Sequence, residues 1–157
     1  MSEDKMSVFV YTRKTNYYET DCMGIIHHSN YFRYFEEART ALMDNLGLSY
    51  AKMERDGIVS PVLHVECDYR LPVKFGETID ISVLITEYNG FRLKCEYTVT
   101  DHETGAVRTK ASSSHCFVSG ESGHPVRLKK AMPEVHEAFQ KYFEDCSHEK
   151  NENSEDK

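Results

Sequence analysis

Between Tyr18 and Tyr31 the chain reads Tyr-Glu-Thr-Asp-Cys-Met-Gly-Ile-Ile-His-His-Ser-Asn-Tyr, so one carboxylate, Asp21, a turn glycine, Gly24, and two histidines, His27 and His28, fall in one short stretch. The stretch ends where a helical pattern begins, and a helix start collects unpaired backbone N–H groups and partial positive charge. An amide there, aimed at a carbonyl, stabilises the negative oxygen that forms when the carbonyl carbon is attacked, often the largest single term in catalysis. Aspartate, with an ordinary pKa of about 3.9, is anionic at neutral pH and can make that attack itself or remove a proton from water. A carboxylate before a helix is more often a turn or capping residue. Asp21 lies nine residues before Asn30 (30 − 21 = 9), too far to cap a helix that starts there. Cys22 is a competing nucleophile, since a thiol near a helix N-terminus and histidines can ionise. Adjacent histidines rarely face one ion and no third spaced ligand follows, so no metal is expected.

The elements that must position this loop are legible on either side. Residues 8–17 are rich in β-branched and aromatic types and predict a first strand. From Tyr31 the apolar residues recur as Tyr34, Phe35, Ala38, Ala41, Leu42 and Leu46, one face of a helix about 25 Å long. Ser29 or Asn30 can cap its start and Gly47 can end it. A shorter helix is predicted over Ser49 to Arg55. After Gly57 the period changes to two, with Leu63, Val65, Cys67 and Tyr69 on one parity. The alternation recurs in Ile79 to Ile85 and Phe91 to Val99, separated by Asn89-Gly90, a strong hairpin signal. Val107 to Val118 forms a further strand with a small-residue centre, and a last helix begins near Pro133. This order predicts an α+β fold: an antiparallel sheet of about five strands with one long helix on its apolar face. One helix cannot cover five strands, so self-association is expected.

The loop and helix start together resemble the 4-hydroxybenzoyl-CoA thioesterase and YbgC-type acyl-CoA thioesterases of the hotdog superfamily. The family pattern, approximately Asp-x-x-Gly, two hydrophobic residues, three positions, Asn-Tyr, and then Glu-x-Ala-Arg after an aromatic pair, is matched by Asp21, Gly24, Ile25, Ile26, Asn30, Tyr31, Phe35, Glu36, Ala38 and Arg39. His124-Pro125-Val126-Arg127 is similar to its Arg-Pro-x-Arg, and the resemblance spans roughly residues 8–135. It implies a hotdog fold, a sheet wrapped around the central helix, and hydrolysis of an acyl-CoA to free acid and CoA. Asp21 becomes the catalytic carboxylate, the backbone N–H near His28 the carbonyl polariser, and the His28 side chain a match to a histidine of the YbgC branch. Gly24, Ile25, Ile26, His27, Asn30 and Tyr31 are implied to shape the substrate site, His27 standing where that branch usually has tyrosine. Active sites near subunit boundaries in a homodimer or homotetramer are implied too. Coenzyme A is then part of the substrate, and no separate cofactor is needed. Arg108, Lys110, Arg127 and Lys129 are candidates for its phosphates. Hydrolysis of an acyl-carrier-protein thioester and noncatalytic acyl-CoA binding are the alternatives.

Composition bounds these readings. At 157 residues, with 39% hydrophobic and 29% charged residues, one globular domain is expected, over residues 1–143. The net charge of −7 disfavours nucleic acid as a partner. Residues 144–157 carry six acidic side chains and almost nothing apolar after Cys146, so a disordered tail is expected. Five widely separated cysteines fit a reducing compartment. Met1 to Ser7 hold no apolar stretch of signal-peptide length and no run approaches a membrane span, which makes the cytoplasm the expected location.

Overall fold

The computed structural model describes residues 8–155; Met1–Ser7 and the last two residues of the acidic tail lie outside the described residues. Strand β1 (Phe9–Lys14) leads through a short 3-10 turn at Tyr17–Glu19 into helix α1 (Asn30–Asn45) and helix α2 (Tyr50–Arg55). Five strands follow: β2 (Ile58–Val59), β3 (Val62–Tyr69), β4 (Thr78–Tyr88), β5 (Arg92–Asp101) and β6 (Val107–Cys116). Strand β7 (Val118–Ser119), helix α3 (Leu128–Ala131) and helix α4 (Pro133–Glu155) complete the chain. The main sheet has the order β1-β4-β5-β6-β3, with every neighbouring pair antiparallel. This is the hotdog fold. The β4–β5 hairpin turns at Asn89-Gly90, where Gly90 takes φ +85° and the Asn89 side-chain oxygen accepts from the amides of Phe91 and Arg92.

Helix α1 buries Tyr31, Tyr34, Phe35, Ala38 and Leu42, as the 3.6-residue spacing predicts. They meet the inward parity of β4 and β5, Ile79, Ile81, Val83 and Ile85 against Leu93, Cys95, Tyr97 and Val99. The Phe35 ring stacks on Tyr97 at 4.4 Å between centroids.

One expectation needs correction. Helix α4 continues through Glu144 and onward to Glu155, where a disordered tail was expected. Val135, Phe139, Tyr142 and Cys146 recur at helical spacing and are buried, and that stripe holds the polar segment in register. Helix α4 also covers part of the sheet that α1 leaves open. The Tyr142 hydroxyl accepts from the Phe9 amide and donates to the Val83 carbonyl, the point where β1–β4 pairing begins. What remains uncovered is β3, at the sheet edge, with Val62, Leu63 and Val65 each 42–51% exposed.

Candidate active site

The loop is built outward from a buried carboxylate. Glu19 is 5% exposed, and its Oε1 accepts from Arg13 Nη1 at 2.7 Å and from the Asn16 amide at 2.7 Å. Burial alone would raise the Glu19 pKa, but these donors outweigh it and hold the carboxyl below the usual carboxylate range. The Glu19 carbonyl in turn accepts from the His27 amide and from Asn30 Nδ2, both at 2.8 Å. Residues Thr20 and Ile26 pair across a β-bridge, the Asp21 amide donates to Ile25 O at 2.8 Å, and the Ile26 amide docks on Val73 O at 2.8 Å. Asp21 therefore heads a tight turn closed by Gly24 at φ +75°. One of its oxygens, Oδ1, accepts from the Met23 amide at 2.7 Å; Oδ2 has no partner among the described residues. Asp21 thus serves the turn with one oxygen and leaves the other free.

At the helix start, expected caps are replaced by a different arrangement. Ser29 and Asn30 make no side-chain cap. Asn30 is buried and spends its amide on Glu19, while the His27 ring nitrogen Nδ1 accepts from the Ser29 amide at 3.2 Å. The Asn30 amide donates to His27 O and the Tyr31 amide to His28 O. From His27 through Tyr31, the His28 amide alone is left without a hydrogen-bond partner among the described residues. The His28 carbonyl is pinned by the Tyr69 hydroxyl at 2.9 Å, and its exposed ring stacks on His27 and meets the edge of Tyr69. Gly24 is exposed, Ile25 half-buried, and Ile26 and Tyr31 are core residues at 3% exposure, so the last two support the loop from below. Cys22 is exposed beside Asp21.

The cation candidates separate. Arg108 is committed within the chain, to Asp101 at 2.9 Å and to the Pro72 carbonyl at 2.6 Å. Lys110 is exposed on β6 opposite Asp68. Arg127 and Lys129 are exposed beside the β4–β5 turn, where the Leu128 amide donates to Gly90 O. That turn is at the far end of β4 from the Asp21 loop, roughly 30 Å away at strand rise, since the loop side is anchored near Thr78 through Thr15 and Glu77. Within one chain, neither cation is near Asp21.

A cavity of about 390 Å³ lies between the second half of α1, α2 and β4–β6. Two of its polar lining residues, Arg39 and His115, are joined behind the wall by a hydrogen-bond chain not foreseen from sequence: Arg39 Nη1 donates to the Tyr97 hydroxyl at 3.0 Å, Tyr97 pairs with Ser113 at 2.6 Å, and Ser113 with His115 Nε2 at 2.7 Å. Tyr97, Ser113 and His115 share the inward parity of their strands, and polar residues at inward positions of β5 and β6 were the available signal. Burial and the nearby Arg39 charge push the His115 pKa down from 6.5 to about 4. The unfolded chain therefore binds a proton between those values while the folded chain does not. The His115 contribution to stability is whole above about 6.5 and is lost as pH falls to about 4. Thermal unfolding midpoints are expected to fall across that window, and His115→Gln to flatten that part of the profile.

No described helix is long and apolar enough to cross a membrane. A central helix wrapped by an antiparallel sheet is the architecture of hotdog proteins, and here the carboxylate-bearing loop runs into the start of that helix. The model of the thioesterase-like superfamily matches residues 16–141, and the chain belongs to that family as a hydrolase. The chain is 40% identical over 128 residues to the putative acyl-CoA thioesterase YneP of Bacillus subtilis, covering 82% of this chain and 92% of that protein. A putative esterase of Aquifex aeolicus is 35% identical over 127 residues, covering 81% and 96%. Among solved structures, a DHNA-CoA thioesterase from Staphylococcus aureus superposes with a TM-score of 0.80 at 31% identity, covering 94% of each chain.

Proposed function

We propose that the chain hydrolyses acyl-CoA thioesters, with Asp21 as nucleophile or base and the His28 amide as the donor that holds the carbonyl oxygen. The observation that carries this reading is the bare His28 N–H, seven residues after Asp21 (28 − 21 = 7), at a helix start whose neighbouring amides are all engaged. An acyl-CoA carbonyl seated there would develop its negative charge against that N–H and the positive helix end. Asp21 Oδ2 adds to the carbonyl carbon, or takes a proton from the water that does. The tetrahedral oxyanion then collapses and expels the CoA thiolate; attack by water leaves the free acid at once, whereas attack by Asp21 leaves an acyl anhydride that a water molecule then hydrolyses, releasing the acid and restoring the carboxylate. The acyl-CoA relatives support this substrate class.

The site is completed by a second copy. An open β3 edge that exposes Val62, Leu63 and Val65 is suited to antiparallel pairing with the same edge of another chain across a two-fold axis. Such pairing brings the Tyr69 end of one β3 to the Val62 end of the other. The Asp21 loop of one protomer then faces the cavity of its mate at the side lined by Tyr50, Ser60 and Val62. Arg127 and Lys129 of the mate lie at that end too, where CoA phosphates need positive potential. With five free cysteines among the described residues, a reducing cytoplasm is the location we infer.

The test is thiol release from a panel of acyl-CoAs by His28→Pro beside His28→Ala. Proline deletes the N–H and is expected to lower kcat about 10²- to 10³-fold. Alanine keeps the N–H and is expected to retain at least about a tenth of the rate. Equal activity in the folded proline variant would remove the amide from the reaction.

A further inference from the structure

We propose that Arg39 and His115 form a donor-lined end of the acyl cavity and select acyl groups that carry a hydroxyl or carboxylate oxygen remote from the thioester. The inference rests on the acyl-CoA reading above. Most of the cavity wall is apolar, with Leu42, Met43, Met53, Leu93 and Phe117 contributing. Its volume of about 390 Å³ lies in the range of small-ligand sites.

The hydrogen-bond direction along the polar wall follows from Arg39, which can only donate. The Tyr97 hydroxyl accepts from Arg39 Nη1, and being 1% exposed it must place its own proton on Ser113. Ser113, 2% exposed, then donates to His115 Nε2. An accepting Nε2 on a neutral imidazole puts the remaining proton on Nδ1. His115 is 4% exposed and lines the cavity, and its Nδ1 has no partner among the described residues. Arg39 also lines the cavity, and beyond its bond to Tyr97 it makes no hydrogen bond or ion pair with any described residue. Glu36 and Glu54 line the cavity as well, both exposed and neither bonded to Arg39. The buried end is therefore a set of N–H donors with the matching acceptor missing. A purely hydrocarbon acyl group would strip water from these donors and return nothing, whereas a hydroxyl or carboxylate oxygen would satisfy them.

The experiment compares kcat/KM for matched acyl-CoAs, plain, hydroxylated and carboxylated at the end remote from the thioester, in wild type, Arg39→Met and His115→Leu. Wild type is expected to prefer an oxygenated substrate, and each variant to lower that preference ratio about 10- to 100-fold. His115→Gln, which can still accept from Ser113 and present an N–H, is expected to retain most of the preference. Because His115 is buried, its leucine variant can fail to fold; the half-buried Arg39 tests the same claim independently. The carboxylated arm, if preferred, assigns the selection to the guanidinium charge; the hydroxylated arm assigns it to neutral donors. Steady hydrolysis with no preference for an oxygenated substrate, or a preference unmoved in Arg39→Met and in any folded His115→Leu, overturns the selection and leaves the thioesterase reading standing. No thiol release from any acyl-CoA overturns both.

Discussion

Asp21→Asn is expected to lower kcat for acyl-CoA hydrolysis about 10³-fold while leaving the fold in place. The substitution separates the two duties of this side chain. Asparagine keeps a carbonyl oxygen where Oδ1 accepts from the Met23 amide, so the turn that carries residue 21 survives. It removes the anionic oxygen, the atom that has no partner in the loop, and with it both nucleophilic attack and proton abstraction. A change in unfolding free energy within about 0.5 kcal/mol is therefore expected alongside the kinetic loss. Thiol release measured beside a denaturant titration checks both numbers. Full activity in the asparagine variant would assign the carboxylate to the turn alone, and Cys22, exposed one residue away, becomes the nucleophile to test by Cys22→Ala.

The second large effect is a recovery. If Asp21 of one protomer works against the cavity of another, two different lesions must complement. Thr40→Trp places a large ring into the cavity from an exposed position on α1 and is expected to cost about 10²-fold by displacing the acyl group. Mixed one to one with Asp21→Asn and allowed to exchange subunits, half the dimers become mixed and each regains one intact site, so about one quarter of wild-type activity is expected under a two-fold assembly. Each variant alone stays near its own low rate. A mixture that gives only the mean of the two variants places Asp21 and the cavity in separate functions, or both within one chain.

The loop from Asp21 to Tyr31, the central helix and the strand hairpins were readable because each is a short-range pattern. Gly24 and Gly90 take positive φ where the turns need it, and the periods of 3.6 and 2 select the buried faces. The helix cap was misread, because the sequence offers Ser29 and Asn30 and does not show that Asn30 is drawn inward to the Glu19 carbonyl. The length of α4 was misread for a related reason. A segment rich in Glu, Lys and Asn looks solvated, yet Cys146 at helical spacing from Tyr142 docks beside β4 and carries the helix onward.

Local chemistry alone singled out the candidate carboxylate, the adjacent helix tip and the succession of strands along the chain, since these depend on residues within a few positions of one another. The tertiary structure decided which amide stays bare, which cations are already committed and what lines the cavity. Arg39 reaches Tyr97 across 58 positions and Tyr97 reaches Ser113 across 16. No periodicity encodes contacts at that separation; they exist only because sheet register and helix packing bring three distant polar side chains into one buried wall.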